Sequence, residues 1–253
     1  MVDYSVNGLN AASFDDPTIR TILKDTIENA LDTISSQNLA GRKVDIVAHS
    51  MGGLVVRSFC EKEKDFCKES IRKLITIDTP HQGSELANLL VESNDKPKSR
   101  CYEVLPKIEE TGRHIWVKGS GRETLAGGHL ALSVGSSALS QLGNALFPAT
   151  LVSVVGLTEI GLQPIRFAYD EGINDLWRGL WYYCGKVPDK SFFEWFGLLD
   201  VVFPDGGNDR IVGGVSQIGS AAEVKDFSGV DHATILENEE VVRWVVKELD
   251  DKP

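Results

Sequence analysis

The sequence is poor in positive charge, in sulfur and in long apolar runs, and each shortage excludes something. Lys and Arg number 26 against 37 Asp and Glu, a net charge of −11. An excess of that sign works against unspecific attraction to nucleic acid or anionic lipid. The four cysteines, Cys60, Cys67, Cys101 and Cys184, show no CxxC spacing of the zinc-site kind. They can form up to two disulfides or stay reduced, and the sequence leaves both states open. The opening MVDYSVNGLN lacks the basic flank and apolar core of a secretory signal. Localisation therefore stays open, with secretion expected only if a signal lies on a segment upstream. From Leu130 to Thr158 no residue is charged, yet Ser, Gly, Asn, Gln and Pro148 interrupt the stretch. That texture belongs to buried core segments rather than to a bilayer span. No internal repeat and no low-complexity linker divides the chain.

What remains is ordinary globular material: 253 residues, 42% hydrophobic and 25% charged. One α/β domain over residues 1–253 is expected from that length. Asp16-Pro17 marks a helix start, with a capping oxygen followed by a residue that needs no N–H. Ile19, Leu23, Ile27, Ala30, Leu31 and Ile34 then recur at helical spacing, and Gly41 closes the element. KVDIVAHS reads as a buried parallel strand, and Leu54, Val55, Val56 and Phe59 continue as a helix that loses its pattern in EKEKDFCKES. IRKLITIDTP, ATLVSVVGL and AAEVKDF are further strands. Val241, Val242, Val245, Val246 and Leu249 give a closing amphipathic helix. The alternation predicts a mostly parallel sheet with helices on both faces.

VDIVAHSMGGLVVRSF places a serine between strand and helix. The five residues Ala48-His49-Ser50-Met51-Gly52 follow the pattern small-x-Ser-x-small, in which the strand bends sharply and the serine stands at a strained apex. A serine that merely capped the helix would explain neither Gly52 nor Gly53. Together with LITIDTPHQGSELANLL, this segment resembles the lipase and esterase branch of the α/β-hydrolases. Bacterial triacylglycerol lipases and GPI inositol-deacylase-like hydrolases carry similar blocks. The resemblance implies the α/β-hydrolase fold and cleavage of carboxylic esters, of lipids or other apolar acyl substrates, through an acyl-enzyme. The expected chain order is serine, acid, histidine, and no cofactor is needed.

On that pattern Ser50 is the nucleophile and the Met51 N–H is one oxyanion donor. Of the five histidines, only His232, in SGVDHATILEN, follows a late strand and precedes the terminal helix, so it is the expected base. His49 is expected to point away from Ser50, and His81 to be structural or pocket-lining. Asp209, in GGNDRIVGGVSQ, is the expected acid, with Asp205 as the nearest competitor and Asp78 a remoter one. Asp205, Asn208 and Asp209 also invite a calcium reading, although the full calcium-loop spacing is missing. GSGRETLAGG resembles a phosphate loop only superficially, since no strand leads into it and no Gly-Lys-Ser/Thr ends it.

The segment before Asp209 is crowded with aromatics, from Phe167 and Tyr169 through Trp177, Trp181, Tyr182 and Tyr183 to Trp195 and Phe196. Residues 160–200 are therefore expected to form a cap or lid insertion that receives an acyl chain or packs on its own rings. A family strand and its oxyanion loop are expected upstream of MVDYS, so the fold is expected to be incomplete at its N-terminus. VDIVAH would then have an apolar edge, to be covered by a partner or a missing segment. Loss of one oxyanion donor costs about 100- to 1,000-fold in kcat. Two other functions fit the same residues: acyl transfer to a lipid or sterol alcohol, and a catalytically weak fragment acting as a binding or assembly module.

Overall fold

The structure is a computed structural model, which describes residues 12–88, 130–142, 147–158, 203 and 207–251. The expected cap at 160–200, the loop at 119–128, His114, His129, Asp205, Cys101 and Cys184 lie outside the described residues.

Helix α1 spans Pro17–Ser36. The Asp16 carboxylate accepts from Thr18 N at 2.7 Å, which satisfies one of the free N–H groups of the first turn. Ile19, Leu23 and Ile27 turn inward one helical turn apart, while Ala30 is exposed. The helix ends before Gly41. Asn38 takes the left-handed conformation, with φ 55°, which its short polar side chain tolerates.

Four strands follow: β1 (Val44–His49), β2 (Ile71–Ile77), β3 (Thr150–Leu157) and β4 (Glu223–Ser228). They form one parallel sheet in the order β1-β2-β3-β4. β2 and β3 are buried almost throughout, as their unbroken β-branched runs require. Along β2 the side chains alternate between two cores. Leu74 joins Leu23, Leu54 and Phe59, whereas Ile75 joins Val152, Val154, Val241 and Val245. Helices therefore cover both faces.

β1 departs from the expectation of a buried strand. Among the described residues it pairs with β2 alone, Val47 is 43% exposed, and Ala48 is its buried residue. Periodicity cannot distinguish an edge strand from a central one when both are apolar. Among the described residues β4 forms the other edge, and it carries Lys225 and Asp226, charges that discourage further pairing.

Helix α2 (Met51–Lys62) starts directly at Ser50, and α3 (Lys64–Ser70) follows after one residue. The charged EKEKDFCKES is thus helical. Its inward residue Cys67 is joined to Cys60 by a disulfide, and the Phe66 ring stands edge-on to Phe59. The bond turns the short helix back onto α2, which the charge-rich pattern did not reveal. Two short helices, α4 (Ser137–Leu142) and α5 (Gly214–Ile218), precede the amphipathic α6 (Glu239–Asp250). Asn238 caps α6 by accepting from Glu240 N and Val241 N.

Two glycines after Ser50 have different tolerances. A Cβ on Gly53 would lie 2.3 Å from Thr79 Oγ1 and 2.9 Å from Thr76 Cγ2, so β2 and α2 touch through a missing side chain. Gly53→Ala is expected to cost about 1–3 kcal/mol of stability in denaturant unfolding. A Cβ on Gly52 would meet only Ala48 Cβ, at an ordinary 3.7 Å. Gly52→Ala is expected to stay within about 0.5 kcal/mol of the parent. The same spacing explains why alanine is accommodated at position 48.

Candidate active site

The carboxyl ends of all four strands meet on one side of the sheet, where α/β folds place their ligands. The registers His49↔Ile77 and Ile77↔Val154 bring Ser50 and Asp78 beside the end of β3. Gly229 N and Val230 N both bond to Leu157 O, which carries the chain from β4 toward His232.

Ser50 occupies a strained backbone position, φ 53° and ψ −132°, a region that residues other than glycine rarely enter. Its neighbours hold it there. Ser50 N donates to Ile77 O at 2.9 Å, while Ser50 O accepts from Thr79 Oγ1 at 2.9 Å and Gly53 N at 3.2 Å. Although Ser50 stands at the N-cap of α2, its side chain makes no capping hydrogen bond. The hydroxyl turns instead to His232 Nε2, at 2.8 Å. His232 Nδ1 lies 2.6 Å from Asp209 Oδ2. The structure therefore brings Ser50, His232 and Asp209 into one hydrogen-bonded line, with Asp209 fully buried and His232 nearly so.

Each member is held by local backbone. Asp209 Oδ1 accepts from Ile211 N at 2.8 Å and Val212 N at 2.6 Å. With two N–H donors on one oxygen, the carboxylate has one orientation left for the histidine. Because the carboxylate accepts, Nδ1 carries the proton and Nε2 is left to accept from the serine. Gln217 of α5 ties this loop to the sheet: its Nε2 donates to Gly156 O and Val212 O, and its Oε1 accepts from Gly156 N. The His232 backbone N–H donates to Asp209 O at 3.1 Å, linking the two loops. Asp231 closes the turn, its Oδ1 accepting from Ala233 N, Thr234 N and Thr234 Oγ1.

His49 does not point away from the site. Its Nε2 lies 2.7 Å from His232 O, and the two rings are 4.7 Å apart. Burial, then the neighbouring His232, lower its pKa from 6.5 to about 3, against the upward pull of the carbonyl. It is a neutral donor that holds the His232 peptide. The expectation that it points away from Ser50 is thus corrected: the loop after β4 brings the His232 peptide to the His49 ring. His81 is also buried and lowered to about 3, chiefly by desolvation and then by Arg57. Its Nδ1 accepts from Arg57 Nη1 at 3.1 Å and its Nε2 bonds Thr76 Oγ1 at 3.1 Å. It braces α2 against β2.

In the glycine-rich loop, Asn208 Oδ1 accepts from Arg210 N, and both Asp209 oxygens have the partners given above. Those atoms face N–H groups rather than a common oxygen-ligand cage. The sequence alone gives Asp231 and Thr79 no positioning role. Only Asp231 left a signal, the Asp-x-x-Thr spacing of a self-capped turn.

A family model described as the PGAP1-like alpha/beta domain matches residues 10–97. A segment of 44 residues is 48% identical to phospholipase A(1) LCAT3 of Arabidopsis thaliana, covering 17% of this chain and 10% of that protein. Bacillus licheniformis lipase BlEst2 in its mature form superposes with a TM-score of 0.58 at 16% identity, over 94% of this chain and 75% of that one. Phospholipase PlaB from Legionella pneumophila gives a TM-score of 0.53 at 15% identity, over 95% of this chain and 49% of its own. The chain thus spans about half of PlaB, and its match to LCAT3 spans a tenth of that protein.

Proposed function

From the premise that this chain has the α/β-hydrolase fold of the lipase branch, we propose that it is a serine ester hydrolase acting on lipid or other apolar acyl esters. The observation that carries the reading is the Ser50–His232–Asp209 line, with Ser50 on a strained elbow between β1 and α2.

His232 Nε2 takes the Ser50 proton as Oγ attacks the acyl carbonyl, and the bond to the alcohol breaks as that proton is passed to the leaving oxygen. Water then repeats the sequence on the acyl-serine. Asp209 keeps His232 in the tautomer that presents a lone pair to Ser50 and stabilises the imidazolium. Met51 is the first residue of α2, so its N–H has no acceptor within the helix and serves the developing oxyanion. The positive end of α2 favours the same charge. Support for a lipid-like substrate comes from the names of the similar proteins, two phospholipases and a lipase.

The test is hydrolysis of a p-nitrophenyl ester series of increasing acyl length. Saturable turnover that improves from acetyl to longer chains supports the reading. Absence of turnover with every chain length, by a folded protein, contradicts it.

A further inference from the structure

Asp78 is a fully buried carboxyl that the reaction above leaves unused. It follows β2 in the left-handed region, φ 49°. Its Oδ1 accepts from Gly156 N at 2.6 Å, and a Cβ on Gly156 would come within 2.8 Å of both its oxygens. The absent side chain at Gly156 makes the room that this carboxyl fills. Written as a carboxylate, Asp78 leaves Oδ2 with no hydrogen-bond partner. The Asp209 side chain, bonded to His232 Nδ1, belongs to the same buried cluster, and its charge and a hydrogen bond with it both raise the Asp78 pKa. Two carboxylates have only acceptors to offer each other, and a buried orphan oxygen is costly. One proton resolves both problems.

We propose that Asp78 is a positioning residue, a neutral carboxylic acid whose Oδ2–H donates to the Asp209 carboxylate and fixes it for His232. The inference rests on the proposed triad. The donated hydrogen bond withdraws part of the Asp209 charge, so it also moderates the basicity of His232. The surroundings agree. Burial pushes the Asp78 pKa well up, the Asp209 charge adds to it, and the Gly156 N–H opposes; the Asp209 hydrogen bond and the Asp231 charge raise it further. Around this carboxyl stand His49 at the end of β1, Asp209 after β3, and Asp231 and His232 after β4. A carboxylate oxygen of Asp78 and one ring nitrogen each of His49 and His232 lie within 4.8 Å of one another. With its pKa lowered to about 3 by burial and by His232, His49 is neutral at neutral pH and supplies no counter-charge.

The test reads protonation directly. The infrared spectrum of the wild type at neutral pH is expected to show a protonated-carboxyl C=O band that Asp78→Asn removes. The His232 ring is then titrated by NMR, its signal assigned with His232→Ala, in wild type, Asp78→Asn and Asp78→Gly. Asn keeps an acceptor for Gly156 and an N–H for Asp209, and it tolerates positive φ. Its titration midpoint is expected within about 0.3 units of wild type. Gly tolerates the backbone but removes the donor, so its midpoint is expected about 0.5–1 unit higher.

A missing infrared band overturns the proposal, as does a midpoint about one unit or more lower in Asp78→Asn, the mark of a lost negative charge. Equal midpoints in the two variants reduce Asp78 to a space filler and overturn it too. If Asp78→Gly does not fold, the infrared band and Asp78→Asn decide. None of these readouts needs turnover, so they fail separately from the hydrolase reading, whose failure shows as an unreactive Ser50.

Discussion

His232→Ala is expected to lower kcat for ester hydrolysis by about 10⁶-fold, the cost of removing the base from a serine–histidine pair. The effect is large because His232 Nε2 is the hydrogen-bond partner of Ser50 Oγ, at 2.8 Å. Without it the hydroxyl must attack with its proton still attached. The loop itself has other anchors. His232 N bonds Asp209 O, His232 O receives His49 Nε2, and Asp231 closes the following turn. The variant is therefore expected to fold, with circular dichroism matching the parent. Its kinetic signature is non-additivity: Ser50→Ala/His232→Ala is expected to be no slower than either single variant. Multiplied losses in the double variant would mean that the two residues do not act as a unit.

Asp209→Asn carries the second-largest effect, about 10⁴-fold in kcat, with substrate binding little changed. The reason is a tautomer. The amide oxygen takes the Ile211 and Val212 N–H groups that Asp209 Oδ1 now accepts. The amide nitrogen then faces His232 Nδ1 and donates to it. His232 must place its own proton on Nε2, toward Ser50, and a donor there cannot remove the serine proton. Steady-state kinetics on the same ester checks this. A loss confined to KM would assign Asp209 to substrate binding instead.

The strands and the elbow were readable because their signals are local. IRKLITI and TLVSVVGL are continuous apolar runs of strand length, and the sharp bend at Ser50 needs small residues at fixed offsets. Both central strands and the sheet's parallel order appear in the structure. The elbow pattern singles out Ser50, whereas Asp209 and His232 follow from the chain order that the resemblance implies, and the structure places the three within hydrogen-bonding distance. Their chemical roles are what the kinetics must decide.

Relations between distant segments were illegible. The exposure of β1 depends on what pairs beside it. The helicity of KDFCKES is joined to a disulfide between Cys60 and Cys67, whose pairing no spacing rule dictates. His49 meets the His232 carbonyl across 183 residues of sequence, a contact that the local pattern does not convey. The sequence offers Asp78 only as a competing acid. Its place beside the end of β3 comes from the β2–β3 register and from the missing side chain at Gly156.

The central claim is that Ser50 is an activated nucleophile. The most direct measurement is reaction of the purified chain with a fluorophosphonate, followed by intact mass and peptide mapping, with Ser50→Ala and His232→Ala alongside. The account predicts one adduct per chain, on Ser50, absent in Ser50→Ala and strongly slowed in His232→Ala. A folded wild type that takes no adduct, or an adduct that persists in Ser50→Ala, would contradict it.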